Sequence, residues 1–236
     1  MWKANVFTIF PEAFPGNLGV SLIGKALNRK WELNVVDLKK YPYSSDRVDD
    51  IPYGGGDGMI LSPVTFENAF SSLTLEEKAM RKIYFSPRGR KFKQNDLHEI
   101  ANSSGVTMLC GRYEGVDQRI LDHYEFEEIS IGDFVLLGGE VAAMVIIEGC
   151  VRLLPGVVQT YSSISNDSFQ NDLLEYNQYT RPAVFNGKIV PNILQSGDHA
   201  KINEYRLSES KEITRKSNKS LWSKYVAREL LSIVSK

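Results

Sequence analysis

Residues 110–140 read CGRYEGVDQRILDHYEFEEISIGDFVLLGGE, and the rest of the chain is organised around this stretch. We interpret it as a strand end, a tight GRYEG turn, a short helix, a second strand (FEEISI) and a glycine-rich turn that opens a long apolar helix. Glycine has no Cβ, so two such turns at strand ends suit backbone that passes close to a small ligand. Spacing alone leaves open that both are ordinary strand-to-helix turns.

Short apolar strands alternate with helices on the N-terminal side of this stretch. The predicted strands cover 4–10, 31–38, 82–86 (ending before Pro87) and 106–110, and the predicted helices cover 18–29, 63–73 and 94–104. This alternation predicts an α/β domain with a mostly parallel sheet. The helix predicted over 140–154 is apolar on nearly every face, so it should be buried in the core or against a second subunit.

A long polar loop, KKYPYSSDRVDDIPYGGGDGM, occupies residues 39–59. Loops of this length in a compact domain are usually functional or disordered. Its glycines could present backbone N–H groups to an anion or close on a ligand. The loop lacks the GK[ST] ending of a P-loop, which argues against a nucleoside triphosphate site.

Composition narrows the class of protein. The 236 residues carry a formal net charge of −1, contain two cysteines and show no apolar run long enough for a membrane span or a signal peptide. Two cysteines, Cys110 and Cys150, argue against a disulfide framework or a zinc site and favour a reducing, cytoplasmic setting. No G-x-G-x-x-G, Ser/His/Asp order or HExxH occurs, so dinucleotide and zinc-protease sites are not supported.

The C-terminal part differs from the body in charge. From Lys201 onward nine Lys and Arg stand against four Asp and Glu, whereas the rest of the chain has 19 basic and 25 acidic residues. We interpret the Ser-rich residues 157–166 as a linker and predict helices from Asp167 to the end. A basic segment on an acidic body suggests contact with a polyanion, although a solvated helix surface would look the same.

Five motifs occur together along the chain. They are YGGGDGM (53–59), SPRGRK (86–91), CGRYEGVDQR (110–119), SIGDFVLLGGE (130–140), and DSF (167–169) with YTRP (179–182). In this combination and order they resemble the bacterial-type tRNA (guanine-N1)-methyltransferases, which modify the guanine immediately 3′ of the anticodon, position 37 of tRNA. The resemblance runs from VFTIFPE to YRLSES, almost the whole chain.

The resemblance implies a fold that periodicity does not reveal. The family belongs to the knotted SPOUT methyltransferases, in which the C-terminal part of the α/β domain threads a trefoil knot, a rare exception to normal connection rules. It implies a knotted domain over 1–158 that binds S-adenosylmethionine, a linker over 159–167 and a small helical, tRNA-binding domain over 168–236.

The resemblance also implies which residues hold the methyl donor. Three knot loops supply them, largely through backbone: Tyr84, Ser86 and Pro87; Gly111, Tyr113 and Glu114; and Ser130, Ile131, Gly132, Asp133, Phe134, Val135, Leu136, Gly138 and Gly139.

Methylation of guanine N1 requires removal of the proton that this nitrogen carries at neutral pH. A positioned carboxylate suits this task, and a cation near O6 would stabilise the developing charge. The resemblance assigns these roles to Asp167 and Arg152. The residues alone leave two alternatives open, because Asp167 could cap a helix together with Gln170 and Arg152 could pair with Glu148.

The resemblance further implies a homodimer with a shared active site, tRNA as partner, no membrane and magnesium dependence without an evident site. The chain departs from the family pattern at Ile51, Ala142, Gln159, Asn177 and Gln178, which puts tRNA grip and linker geometry in doubt more than the reaction. Other hypotheses are a knotted methyltransferase for another RNA, an inactive RNA-binding protein of the same fold and a small-molecule-binding α/β domain. We expect residues 160–166 to be disordered without tRNA.

Overall fold

The computed structural model describes residues 1–158 and 167–234, and it divides the chain into two compact units, Met1–Gln159 and Thr160–Lys236. Residues 159–166 of the predicted linker 159–167, and with them Gln159 and the expected disorder of 160–166, lie outside the described residues. Each unit is therefore described by itself.

The first unit is built on a five-stranded sheet in which every strand pairs parallel to its neighbours. The strand order is β2-β1-β6-β5-β7. The strands are β1 (Trp2–Thr8), β2 (Trp31–Asp37), β5 (Arg81–Lys91), β6 (Gly105–Leu109) and β7 (Glu127–Ser130), and a short antiparallel pair is formed by β3 (Asp49–Asp50) and β4 (Ile60–Leu61). The predicted α/β class with a mostly parallel sheet is confirmed.

Helices cover both faces of the sheet. They are α1 (Ser21–Ala26), α2 (Pro63–Ser71), α3 (Leu75–Lys78), α4 (Gln94–Ala101), α5 (Gln118–His123) and α6 (Glu140–Leu153). Side chains alternate across a strand, so Val6 of β1 enters one core with Ile146 of α6, while Phe7 enters the other with Phe66 of α2. The Phe7 and Phe66 rings lie 5.1 Å apart between centroids.

Two elements of this unit differ from the sequence prediction. The helix expected over 18–29 is a 3-10 turn at Gly16–Gly19 followed by α1, because Ser21 (φ 56°) and Asn28 (φ 61°) adopt left-handed backbone conformations that a longer helix excludes. The strand expected to end before Pro87 continues to Lys91. Its pairing with β7 is interrupted between Phe85 and Arg90, and both of these residues pair with Ile129.

The predicted apolar helix is present as α6. Ile146, Ile147 and Cys150 are buried in the core, whereas Val141 and Val145 on the same helix are 58% and 53% exposed. The helix ends before Pro155, as expected.

The second unit contains two long helices, α7 (His199–Ser217) and α8 (Lys219–Val234), and a hairpin of β8 (Val184–Phe185) and β9 (Lys188–Ile189). The helix predicted from Asp167 is wrong. A 3-10 turn, Gln170–Asp172, stands in its place, with positive φ at Phe169, Asn171 and Asp172.

Tertiary contacts account for this difference. Leu174 donates its backbone N–H to Thr214 Oγ1 of α7 at 2.8 Å, and Arg228 of α8 donates to Asp172 and to the Asn171 carbonyl. These bonds satisfy polar groups that a helix would pair internally.

Candidate functional site

The carboxyl ends of three adjacent strands, β6, β5 and β7, meet at one edge of the sheet. The segments that follow them enclose a cavity of about 400 Å³. It is lined by residues of 84–88, 111–118 and 129–139, together with Leu121 and Ala142. Ligands of open α/β sheets bind at this edge, outside the carboxyl ends of the strands.

The structure brings together fourteen of the fifteen residues that the sequence assigned to the methyl donor. The lining includes Tyr84, Ser86, Pro87, Gly111, Tyr113, Glu114, Ser130, Ile131, Gly132, Phe134, Val135, Leu136, Gly138 and Gly139. Asp133 is absent from the lining, and its carboxylate lies 2.5 Å from Lys91 Nζ. The role of each residue stays a prediction.

Two of the three predicted knot loops are bonded to each other: the GRYEG turn (residues 111–115), called the second turn, and the glycine-rich turn that ends at Gly139, called the third turn. Gly139 donates its backbone N–H to the Gly111 carbonyl at 3.1 Å, and Arg112 forms an isolated antiparallel bridge with Gly138. A Cβ at Gly139 would lie 2.8 Å from the Cys110 Cα, and a backbone atom cannot easily move away to make room for it. This close approach, not a special φ, explains why glycine occupies the position.

The glycine-rich loop is tied to the same site. Glu114 donates its N–H to the Met59 carbonyl at 3.2 Å, and Leu61 donates to the Gly115 carbonyl at 3.2 Å. At the loop's tip Tyr53 is fully exposed, and Gly54 has a φ of +92°. The C-terminal end of the YGGGDGM loop therefore lies on the GRYEG turn, whereas Tyr53 at its other end faces solvent.

Tyr84 forms part of the cavity floor and is buried. Burial raises the pKa of its phenol, and the negative charge of Glu128 raises it further. The phenol is therefore neutral at physiological pH, where it offers a donor and an acceptor rather than a charge.

A buried ion pair supports the turns from beneath. Glu140, the first residue of α6, is 2% exposed; its Oε1 accepts from Thr8 Oγ1 at 2.7 Å and its Oε2 accepts from Arg112 Nε at 2.9 Å. The Arg112 guanidinium also lies 4.5 Å from the Phe10 ring centroid. This network joins β1, the second turn and α6.

Sequence reasoning missed several lining residues, among them Arg88 and Gln118. Arg88 donates to both carboxylate oxygens of Glu128 and to Gln118 Oε1. The signal was available for some of them, because Phe85, Arg112 and Leu137 each lie between two predicted residues. The missed residues are Phe85, Arg88, Arg112, Gly115, Val116, Gln118, Leu121, Ile129, Leu137 and Ala142.

The two predicted catalytic residues lie in different units. Arg152 is half-buried in the last turn of α6, and Asp167 is half-buried at the start of the described part of the second unit. The helix-capping alternative for Asp167 is wrong, because no helix begins there. Their catalytic roles stay predictions.

The departures from the family pattern occupy different environments. Ala142 lines the cavity and is buried, whereas Ile51 is exposed. Asn177 donates to Glu209, and Gln178 donates to Glu175.

Within residues 1–158 and 167–234, no cluster of three or more His, Cys, Asp or Glu residues could hold a metal ion, and no helix has the length and apolar character needed to cross a bilayer.

Comparison with known proteins gives consistent matches over nearly the full chain. The family model described as tRNA (Guanine-1)-methyltransferase TrmD matches residues 2–224. A protein from Ehrlichia ruminantium is 49% identical over 224 residues, covering 94% of this chain and 95% of the relative. Proteins from Ruegeria pomeroyi and Rhodospirillum rubrum are each 46% identical, over 231 and 229 residues, covering 96% and 95% of this chain and 95% and 94% of the relatives. All three relatives are named tRNA (guanine-N(1)-)-methyltransferase.

Proposed function

We infer the activity from one premise: this chain belongs to the tRNA (guanine-1)-methyltransferase family, whose model matches almost its whole length. The chain is an enzyme that transfers a methyl group from S-adenosylmethionine to N1 of a guanine in tRNA. We propose that this guanine is the one immediately 3′ of the anticodon, position 37. The observation that carries the proposal is the convergence of three family motifs on a single cavity at the sheet edge.

The cavity suits the methyl donor in size and chemistry. Small-molecule sites measure roughly 300–1,000 Å³ and combine apolar walls with a few polar groups, and this one measures about 400 Å³. Ile131 and Leu136 supply apolar surface, and Glu114 and Gln118 supply polar groups. When bound, S-adenosylmethionine supplies an electrophilic methyl group on a sulfonium centre.

The chemistry left to the protein is removal of a proton and stabilisation of charge. In the proposed mechanism Asp167 accepts the proton from guanine N1, which frees the nitrogen lone pair for attack. Arg152 stabilises the negative charge that develops on O6. Flipping of the guanine out of its stack would bring N1 to these groups.

The finer architecture is part of the same proposal. We propose a trefoil knot over the C-terminal part of 1–158, and the interrupted pairing of β5 with β7, in which Phe85 and Arg90 both pair with Ile129, supports it. A Cβ at Gly89 would lie 2.5 Å from the Ile129 backbone nitrogen, so the two segments touch. A linker over 159–167 and a helical, tRNA-binding domain over 168–236 complete the proposed organisation.

We propose a homodimer in which each active site draws residues from both subunits. The exposed valines Val141 and Val145 of α6 support it, because apolar side chains on a core helix are usually covered. A cytoplasmic location is proposed because the substrate is tRNA. Magnesium dependence stays a prediction without an assigned site, and titration of the methyl-transfer rate with magnesium measures it.

Methyl transfer from labelled S-adenosylmethionine to tRNA transcripts tests the activity. One transcript carries guanine 3′ of the anticodon, and its matched control carries adenine there. We expect label only in the first transcript, recovered as N1-methylguanosine after nuclease digestion. Label at another position, or in an unrelated RNA alone, would favour the alternative of a knotted methyltransferase with a different RNA substrate.

A further inference from the structure

A second cavity lies entirely within the second unit, apart from the site described above. Its volume is about 560 Å³. Its walls come from the segment 176–181, from the ends of the β8–β9 hairpin, from the 3-10 turn Asn192–Gln195 and from α7. The lining residues are Tyr176, Asn177, Gln178, Tyr179, Thr180, Arg181, Ala183, Val190, Leu194, Gln195 and Arg206.

Arg206 of α7 is the distinctive residue of this cavity. Its guanidinium carbon lies 4.9 Å from the centroid of the Tyr176 ring, so the ring holds the charged group in place. Its Nε is buried and finds no hydrogen-bond partner within residues 1–158 and 167–234. Buried polar groups are normally paired, so the guanidinium, stacked on Tyr176, lacks an acceptor at this position among the described residues.

The charge of the cavity indicates the sign of that acceptor. Arg181 and Arg206 are both cationic, and among the described residues that line the cavity none is acidic. The carboxylates nearby are already engaged, because Glu209 accepts from Asn177 and Glu175 accepts from Gln178. An anion therefore meets two arginines without a competing carboxylate in the lining.

We propose that this cavity binds one nucleotide of an RNA strand, with its phosphate on Arg206 and Arg181. The planar guanidinium fork matches phosphate geometry. Tyr179, which is 46% exposed, offers a ring face on which a base can stack. This inference rests on the proposed function, because the tRNA substrate would supply the nucleotide.

Binding of fluorescently labelled tRNA to the full chain tests the site without requiring methyl transfer. Loss of one charge-assisted contact in Arg206→Gln should weaken tRNA binding by about tenfold or more. The slope of log K against log salt should also become shallower by roughly 0.7–0.9 for the lost phosphate contact. Affinity for S-adenosylmethionine, measured by calorimetry, should not change.

Arg29→Gln is the matched control. It removes the same charge from an exposed side chain of the first unit, outside both cavity linings, and we expect it to keep wild-type affinity and slope. Arg181→Gln changes an exposed side chain of the lining and decides the question if Arg206→Gln fails to fold.

Wild-type tRNA affinity in the folded cavity variants, or an equal loss in Arg29→Gln, would overturn the inference. The proposed function fails differently, since wild-type protein would then bind tRNA without methylating it.

Discussion

Asp167 is the residue on which the proposed proton transfer depends. The turn that follows it has positive φ at Phe169 and Asn171 and starts no helix, so Asp167 has no helix to cap. Asp167→Asn keeps the size of the side chain but removes the base. We expect turnover to fall by about 10²–10⁴-fold, the usual contribution of general-base catalysis.

Single-turnover methylation with donor and tRNA both saturating measures this effect. Donor affinity and the thermal unfolding midpoint should stay at the wild-type values, because the substitution lies outside the donor cavity. A near-normal single-turnover rate would exclude Asp167 as the base.

Glu140 tests the support beneath the donor cavity. Replacing it with Gln keeps the shape of the side chain and a neutral hydrogen bond to Thr8, but it leaves the Arg112 charge without its carboxylate. We expect the free energy of unfolding to fall by about 1–3 kcal/mol, because hydrogen bonds to charged groups contribute that much. Urea denaturation of Glu140→Gln, with exposed Glu148→Gln of the same helix as control, measures the loss. Equal stability of the two variants would contradict it.

At the residue scale, fourteen of the fifteen residues that the motifs indicated line one cavity, and this grouping came from the family resemblance and not from periodicity. Apolar periodicity cannot show that Glu140, the first residue of an apolar helix, is buried and bonded to Thr8, 132 residues earlier in the chain. Asp133 was included because it lies between Gly132 and Phe134 in the motif. The structure turns its side chain toward Lys91 instead.

Among the elements, α3 carries a pH-sensitive contact. Thr74 and Glu77 form a capping box, and Glu77 also accepts from Lys3 of β1 at 2.8 Å. The hydrogen bond from Lys3 lowers the pKa of the Glu77 carboxyl, and the bond from the Thr74 backbone lowers it further. Because the pKa of Glu77 in the folded protein lies below the unfolded value of about 4.3, the unfolded state binds more protons. The free energy of unfolding therefore decreases as the pH falls.

We therefore expect the free energy of unfolding to decrease as the pH is lowered from 5 toward 3. In Glu77→Gln the decrease should be shallower and the stability at pH 7 lower. Denaturant titrations at several pH values measure both quantities. Identical pH profiles for the two proteins would show that Glu77 contributes nothing to acid sensitivity.

The third turn, which precedes α6, supports a prediction about donor binding. A side chain at Gly139 would meet the Cys110 backbone and the Phe85 ring, 3.1 Å from the Cβ position. Gly139→Val should thus displace the turn from the Gly111 carbonyl and abolish donor binding. Calorimetry with S-adenosylmethionine measures the affinity, and thermal unfolding verifies that the variant is folded. A folded variant with normal affinity would remove this turn from the donor site.

Elements with long apolar patterns were predictable, since β1 is buried at almost every position and α6 buries Ile146, Ile147 and Cys150 in the core. Elements fixed by distant contacts were not. The continuation of β5 to Lys91 depends on β7, some 40 residues later. The non-helical segment after Asp167 depends on Thr214 and Arg228 of two later helices. Local propensity favoured a helix there, and tertiary hydrogen bonds overrode it.

For the whole molecule, the proposed shared active site makes a prediction that a site within one subunit does not. Suppose that Gly139→Val destroys the donor pocket and Asp167→Asn removes the base. In a mixed dimer one site then carries both defects, and the other combines an intact pocket with an intact base. Co-refolded in equal amounts, half of the dimers are mixed and half of their sites are intact, so about a quarter of wild-type activity should return.

Methyl transfer to tRNA by the co-refolded mixture measures the recovery. The two variants refolded separately and then combined without subunit exchange serve as the control. If each active site instead took its donor pocket and its base from the same subunit, every site in a mixed dimer would carry one defect. The mixture would then be as inactive as its components. Recovery near a quarter would place donor and base on opposite subunits. Catalysis would in that case depend on subunit concentration, and dilution below the dimer dissociation constant should lower the specific activity with the same midpoint as dissociation.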